Sequence, residues 1–146
     1  MNQRQKCTIE FPLFFALGLF LAGCGSPTDP ADTRTIKANP SFSTDILEIL
    51  SRRGCTASNC HGNSAGELTL TSSPATSYGN LVGVPSPTSG EIRVIVNDAA
   101  NSYLVKKLEG TQGNGNGLSM PLSASQLDNI DLTNIKNWIN TGAINN

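Results

Sequence analysis

Aromatic side chains are scarce in this 146-residue sequence, which has one tryptophan, two tyrosines and five phenylalanines. Four of those phenylalanines (Phe11, Phe14, Phe15 and Phe20) fall within the first 23 residues. The 123 residues that follow hold only 42 apolar side chains, about a third, and their aromatics are Phe42, Tyr78, Tyr103 and Trp138. Globular domains typically run at roughly 45–50% apolar, glycine included. So thin a stock excludes a large aliphatic core, and the length excludes a multidomain chain. No apolar run is long enough, or repeated often enough, for a polytopic membrane protein. Charge is equally sparse. Beyond residue 23 there are eight Lys/Arg against ten Asp/Glu, with no basic run, so nucleic acid is excluded as a partner. Glycine, proline and asparagine are plentiful instead (12, 7 and 14 after residue 23). Such a domain either is loose or is filled by something other than side chains.

The amino terminus reads as an export signal. Arg4 and Lys6 make a short positive region, and Phe11 to Ala22 is a 12-residue apolar stretch, short for a bilayer span. It ends in Leu21-Ala22-Gly23-Cys24, which resembles the lipobox of bacterial lipoproteins. That resemblance implies cleavage before Cys24, acylation of its thiol and new amino group, and a lipid anchor at a membrane facing the periplasm or cell surface. More than one acyl chain makes such an anchor durable. Gly25 in place of aspartate favours the outer membrane by the same resemblance. The competing reading is an ordinary secretory signal with a chance cysteine. Residues 24–40, with Pro27, Pro30 and Pro40 among Ser, Thr, Asp and Ala, read as a flexible tether.

Of the four cysteines, Cys7 leaves with the signal and Cys24 takes lipid. Cys55 and Cys60 remain, followed at once by His61. A Cys-x-x-Cys-His run marks covalent haem attachment: two thiols add across the haem vinyl groups, and the adjacent histidine is pinned beneath the iron. Here four residues separate the cysteines, not two. Two blander readings stay open at this point. A disulfide between Cys55 and Cys60 suits an oxidising compartment. A zinc site would have only these two thiols and the sole histidine, one ligand short of a closed shell. No local spacing supports His61 as the base of a nucleophile.

The rest of the chain reads as short helices between Gly/Asn-rich loops. Ser41 to Arg53 places Phe42, Ile46, Ile49 and Leu50 at helical spacing, with Ser41 or Ser43 as cap and Gly54 as stop. Arg52 and Arg53 suit that helix's negative end; contacts to haem propionates or a redox partner are the alternative. A short helix is expected over Pro74 to Leu81, with proline in its first turn. A third is capped by Asp98 or Asn101 and runs to Glu109. The last covers Ser123 to Asn140, burying Leu127, Ile130, Ile135, Trp138 and Ile139, with a break near Asp131. Ile92 to Val96, apolar and β-branched, reads locally as a strand.

Met120 is the only methionine once Met1 leaves with the signal, as His61 is the only histidine. Within one chain a bis-histidine haem is therefore impossible. A six-coordinate iron held through protein sulfur needs Met120, because both motif thiols are spent. Pro121 stiffens the loop that presents it. Alone, Met120 would read as a gap-filling core residue.

The pattern as a whole resembles the cytochrome c superfamily, and within it the small cytochrome c-like domain described from planctomycetes and their relatives. The resemblance covers 41–143 and rests on Arg53-Gly54-Cys55, Cys60-His61-Gly62, Gly66-Glu67-Leu68-Thr69-Leu70, Asn101 to Leu108, Met120-Pro121 and Trp138 to Ala143, leaving 144–146 as a tail. Related domains share the four-residue spacing. The resemblance implies an all-α, cytochrome c-like fold of three to five short helices around one haem c. It implies thioethers at Cys55 and Cys60, His61 as proximal and Met120 as distal iron ligand, and Ile92 to Val96 as irregular chain despite its composition. The implied function is single-electron transfer with a redox partner protein and no catalysis of its own. Two alternatives of another class are a haem-based sensor with a displaceable Met120, and a disulfide-stapled binding lipoprotein without haem.

Overall fold

The structure of the protein, a computed structural model, describes residues 33–122 and 124–146. The expected signal (1–23), the expected acylation site Cys24 and the first part of the expected tether lie outside those residues, as does Ser123. Among the described residues the fold is all-α, four helices with no strand.

The first helix, α1 (Leu47–Arg52), is entered through a π-helical turn at Phe42–Ile46. Ser41 occupies the N-cap position, but its side chain caps nothing. Instead the Ser41 N–H donates to Asp45 Oδ2 (2.9 Å) and its hydroxyl donates to the Asn146 carbonyl (2.7 Å). That carbonyl also accepts from Ser43 N, and the Asn146 side chain accepts from Phe42 N. The orphan donors of the first turn are thus met from the far end of the sequence, where a local serine cap was expected.

Helix α2 (Pro74–Leu81) forms as expected, with Pro74 in its first turn and Ser73 accepting from Thr76 N. Helix α3 (Tyr103–Glu109) ends at Gly110 with φ of 73°, a left-handed stop that suits glycine. Its start departs from the expectation: Asp98 closes a preceding turn through Asn101, and the Ser102 hydroxyl is spent between Ile95 N and the Asp98 carbonyl. The α3 donors Tyr103 N and Leu104 N reach the carbonyls of Ile92 and Arg93 instead. This explains why Ile92 to Val96 makes only isolated bridges, to Val82, Pro85 and Asp98. Its carbonyls cap a helix, so the β-branched composition is overridden, as the family resemblance implied.

Helix α4 (Asn129–Asn140) begins six residues later than expected and runs through Asp131 without a break. Asp128 sets that start: its carboxylate accepts from Ile130 N and Asp131 N, both at 3.0 Å. Of the residues expected on the buried face, Ile135, Trp138 and Ile139 are buried, while Leu127 and Ile130 are half-buried.

The side-chain core gathers at the α1–α2–α4 junction. Phe42 packs against Trp138 and edge-on to Tyr78, with ring centroids 5.1 and 5.3 Å apart. The polar ends of those rings are satisfied, Trp138 Nε1 by the Ile144 carbonyl and Tyr78 OH by the Ala143 carbonyl. Ile46, Ile49, Ile135 and Ile139 fill around them.

Part of the segment expected as a flexible tether is docked. Arg34 donates to Asp128 and Asp131, Lys37 N donates to Asn134 Oδ1, and Asn134 and Asn137 donate back to the carbonyls of Thr35 and Lys37. Residues 34–37 therefore belong to the folded unit, because α4 offers side-chain amides that pair with extended backbone.

Candidate functional site

The Cys55–His61 segment leaves α1 through Gly54, whose φ of 76° turns the chain. Cys55 N donates to the Leu50 carbonyl, Cys60 N and Gly62 N donate to the Ala57 carbonyl, and His61 N donates to the Cys55 carbonyl at 3.1 Å. The four intervening residues are therefore wound into a closed turn. That turn brings His61 back beside Cys55 despite the longer spacing. Gly62 is required for the close approach: a Cβ there would lie 2.4 Å from the Thr56 carbonyl oxygen and 2.8 Å from that of Ala57.

His61 Nδ1 lies 2.7 Å from the Ala65 carbonyl oxygen. A carbonyl can only accept, so Nδ1 carries the proton, and in the neutral ring Nε2 is left with its lone pair. An orienting acceptor of this kind is what a metal-ligating imidazole requires.

Beside this histidine opens a mainly apolar cavity of about 240 Å3, open to solvent at its mouth. That volume lies just under the roughly 300–1,000 Å3 of small-molecule and cofactor sites. Leu68, Leu70, Leu81, Leu104 and Leu108 form its walls, and Cys55, His61 and Met120 all border it. Met120 is half-buried and is tied to α3 by its N–H donating to the Lys107 carbonyl. Three of the four residues expected at a haem thus meet at one cavity, although Met120 is distant in sequence. Cys60 does not border it.

Both thiols are unbonded. Burial, together with the neighbouring Cys60 sulfur, pushes the Cys55 thiol up to about 11, although Arg53 opposes the shift. No three His, Cys, Asp or Glu side chains among the described residues lie close enough together to hold a metal ion, so Cys55, Cys60 and His61 do not converge as zinc ligands would. Cys55, His61 and Met120 instead offer a thiol, an imidazole nitrogen and a thioether sulfur to one mainly apolar cavity.

Arg52 and Arg53 do not border the cavity. Arg52 pairs with Glu48 and Asp131, and Arg53 donates to the Ser125 and Gln126 carbonyls, which keeps both at the helix end. The cations that do border the cavity are Arg93 and Lys107, and Tyr103 joins them there. Sequence reasoning singled out none of the three, because nothing local distinguishes them.

No protein-family model, curated protein or solved structure matches the chain.

Proposed function

We propose that the chain is a membrane-anchored monohaem c-type cytochrome that transfers single electrons. The observation carrying this reading is the meeting of Cys55, His61 and Met120 at one apolar cavity. A haem bound there supplies a one-electron iron couple. Cys55 at the cavity and Cys60 on the same turn would hold it covalently, and His61 Nε2 and the Met120 sulfur would hold its iron. The Ala65 carbonyl fixes the imidazole's tautomer and direction. Methionine favours the ferrous state, and the leucine walls oppose added positive charge, so both push the potential upward. With His61 and Met120 both holding the iron, substrate would find no open position on it, so we infer no bond chemistry and a redox protein as partner. In this reading residues 1–23 export the chain, acylation of Cys24 anchors it at a membrane, and the expected tether (24–40) keeps only its part ahead of the docked residues 34–37 as spacer.

The direct test is the intact mass of the full chain made in a host competent in cytochrome maturation. The expected mass includes one haem and the lipid. Cys55→Ala is expected to lose covalent haem, and Cys24→Ala to release the protein from the membrane fraction. A chain without added haem mass would overturn the reading.

A second reading is a haem sensor in which Met120 is displaced by ligand. It draws on the exposure of Leu118 (69%) and Leu122 (54%) on either side of Met120, which leaves that loop lightly packed. Ready binding of carbon monoxide to the reduced protein at neutral pH would select it. A colourless protein with no free thiols would select the stapled lipoprotein.

A further inference from the structure

Eight arginines and lysines lie among the described residues. Six have a carboxylate within 4.0 Å: Arg34, Arg52 and Arg53 at Asp131, Lys37 at Asp45, Lys106 at Glu91, and Lys136 at Glu109. The two without an acid partner are Arg93 and Lys107, and both border the same apolar cavity. Arg93 is only 7% exposed. Its guanidinium donates to the carbonyls of Asn80 and Glu67, both at 2.9 Å, and the Glu67 carboxylate acts on it only from beyond ion-pair distance. Lys107 donates to the carbonyls of Asn116 and Leu118 and stands 5.9 Å from the Tyr103 ring centroid. Burial of a cation without a counter-charge is costly, and arginine does not escape the cost by losing its proton. A chain that pairs every other described cation yet leaves these two facing one cavity is arranged for an anionic guest.

We infer that Arg93 and Lys107 are the counter-ions for carboxylates carried by the group that fills the cavity. The inference rests on the haem reading and deepens it. The guest is an apolar plane with two acid arms, which Arg93 and Lys107 orient while His61 and Met120 take the metal. Arg93 spare N–H groups match a carboxylate in the planar fork that guanidinium favours. Both residues are positioning residues in this account.

The test is a binding titration of the full chain, produced without attached haem, with iron protoporphyrin IX and separately with its dimethyl ester, which lacks the charges. The native chain is expected to bind the diacid at least tenfold more tightly than the ester. Arg93→Gln and Lys107→Gln are each expected to weaken diacid binding about tenfold and leave ester binding unchanged, with Arg93→Lys restoring most of the loss. Circular dichroism checks that each variant is folded; should Arg93→Gln fail that check, Lys107→Gln, whose side chain touches only loop carbonyls and an aromatic ring, carries the test. Equal binding of diacid and ester by the native chain, or parallel loss of both in the variants, overturns the inference while leaving a porphyrin site. Failure of the native chain to bind either porphyrin overturns the haem reading and the inference together.

Discussion

At the scale of single residues, the site depends on a few positions with no tolerance for substitution. Gly62 is one. A Cβ there would meet, at 2.4 and 2.8 Å, backbone carbonyls of the turn that closes the motif, and these cannot swing aside as a flexible side chain would. Gly62→Ala is expected to cost about 3 kcal/mol, measured as a lowered midpoint of urea unfolding, and to disrupt haem attachment as well. Cys55 offers a second check. With its thiol held at about 11, the folded chain without haem should expose very little thiolate at pH 8, roughly one part in a thousand. Alkylation by iodoacetamide should be correspondingly slower than for an unstructured cysteine. The folded value lies above the ordinary value near 9.0, so the associated stability is fully present below pH 9 and lost as pH rises through 11. An alkylation rate equal to that of a free thiol would show that Cys55 is not buried beside Cys60.

The elements are held by polar caps as much as by apolar faces, and α4 shows this best. Asp128 caps its start through two N–H groups, and those donors hold the carboxyl below its ordinary value. This stability is present above the usual carboxylate range and fades as pH falls through the lowered value. Asp128→Ala is expected to cost about 1 kcal/mol at neutral pH, with a smaller cost at low pH where the native cap is itself protonated. One turn on, Asp131 is 1% exposed and joins the docked segment, α1 and α4 through Arg34, Arg52 and Arg53. Asp131→Asn leaves three partly exposed arginines without their shared partner. A loss of about 2 kcal/mol is expected, smaller than for a fully buried pair because the arginines retain some water. Unfolding monitored with the fluorescence of Trp138, about two helical turns beyond Asp131 in the core, measures both variants.

The same elements show how far the sequence was legible. Proline at the first turn of α2, glycines at the ends of α1 and α3, and the apolar spacing around Phe42 and Trp138 are local signals, and each appears where local chemistry places it. What escaped was non-local. Nothing near Ser41 announces that Asn146 will cap its helix. Nothing near Arg34 announces Asp131, and nothing near Ile92 announces that its carbonyl will serve α3. His61 and Met120 could be singled out because each type is nearly unique in the chain, and Cys55 and Cys60 because they precede that histidine; the structure brings Cys55, His61 and Met120 to one cavity and leaves Cys60 off it. Arg93 and Lys107 could not, because an unpaired cation becomes visible only when every other cation has been matched to its acid.

On the scale of the whole molecule, the shortage of aromatic and aliphatic side chains resolves into a division of labour. One side of the domain is closed by the Phe42–Tyr78–Trp138 cluster and the isoleucines around it. The other side, between the motif turn, α3 and the Met120 loop, is a leucine-walled cavity that no side chain fills. A bound haem would complete the core there, and ligand that binds only the folded state stabilises it by mass action. The chain without haem should consequently unfold at a lower denaturant concentration than the haem-loaded chain, and urea titrations of the two measure the difference. The most direct measurement of the central claim is the visible spectrum of the dithionite-reduced full chain from a maturation-competent host, taken before and after acid-acetone extraction. Sharp reduced α and β bands, with the colour remaining on the protein after extraction, are the expected result. A colourless protein, or haem that passes wholly into the acetone, would contradict the account.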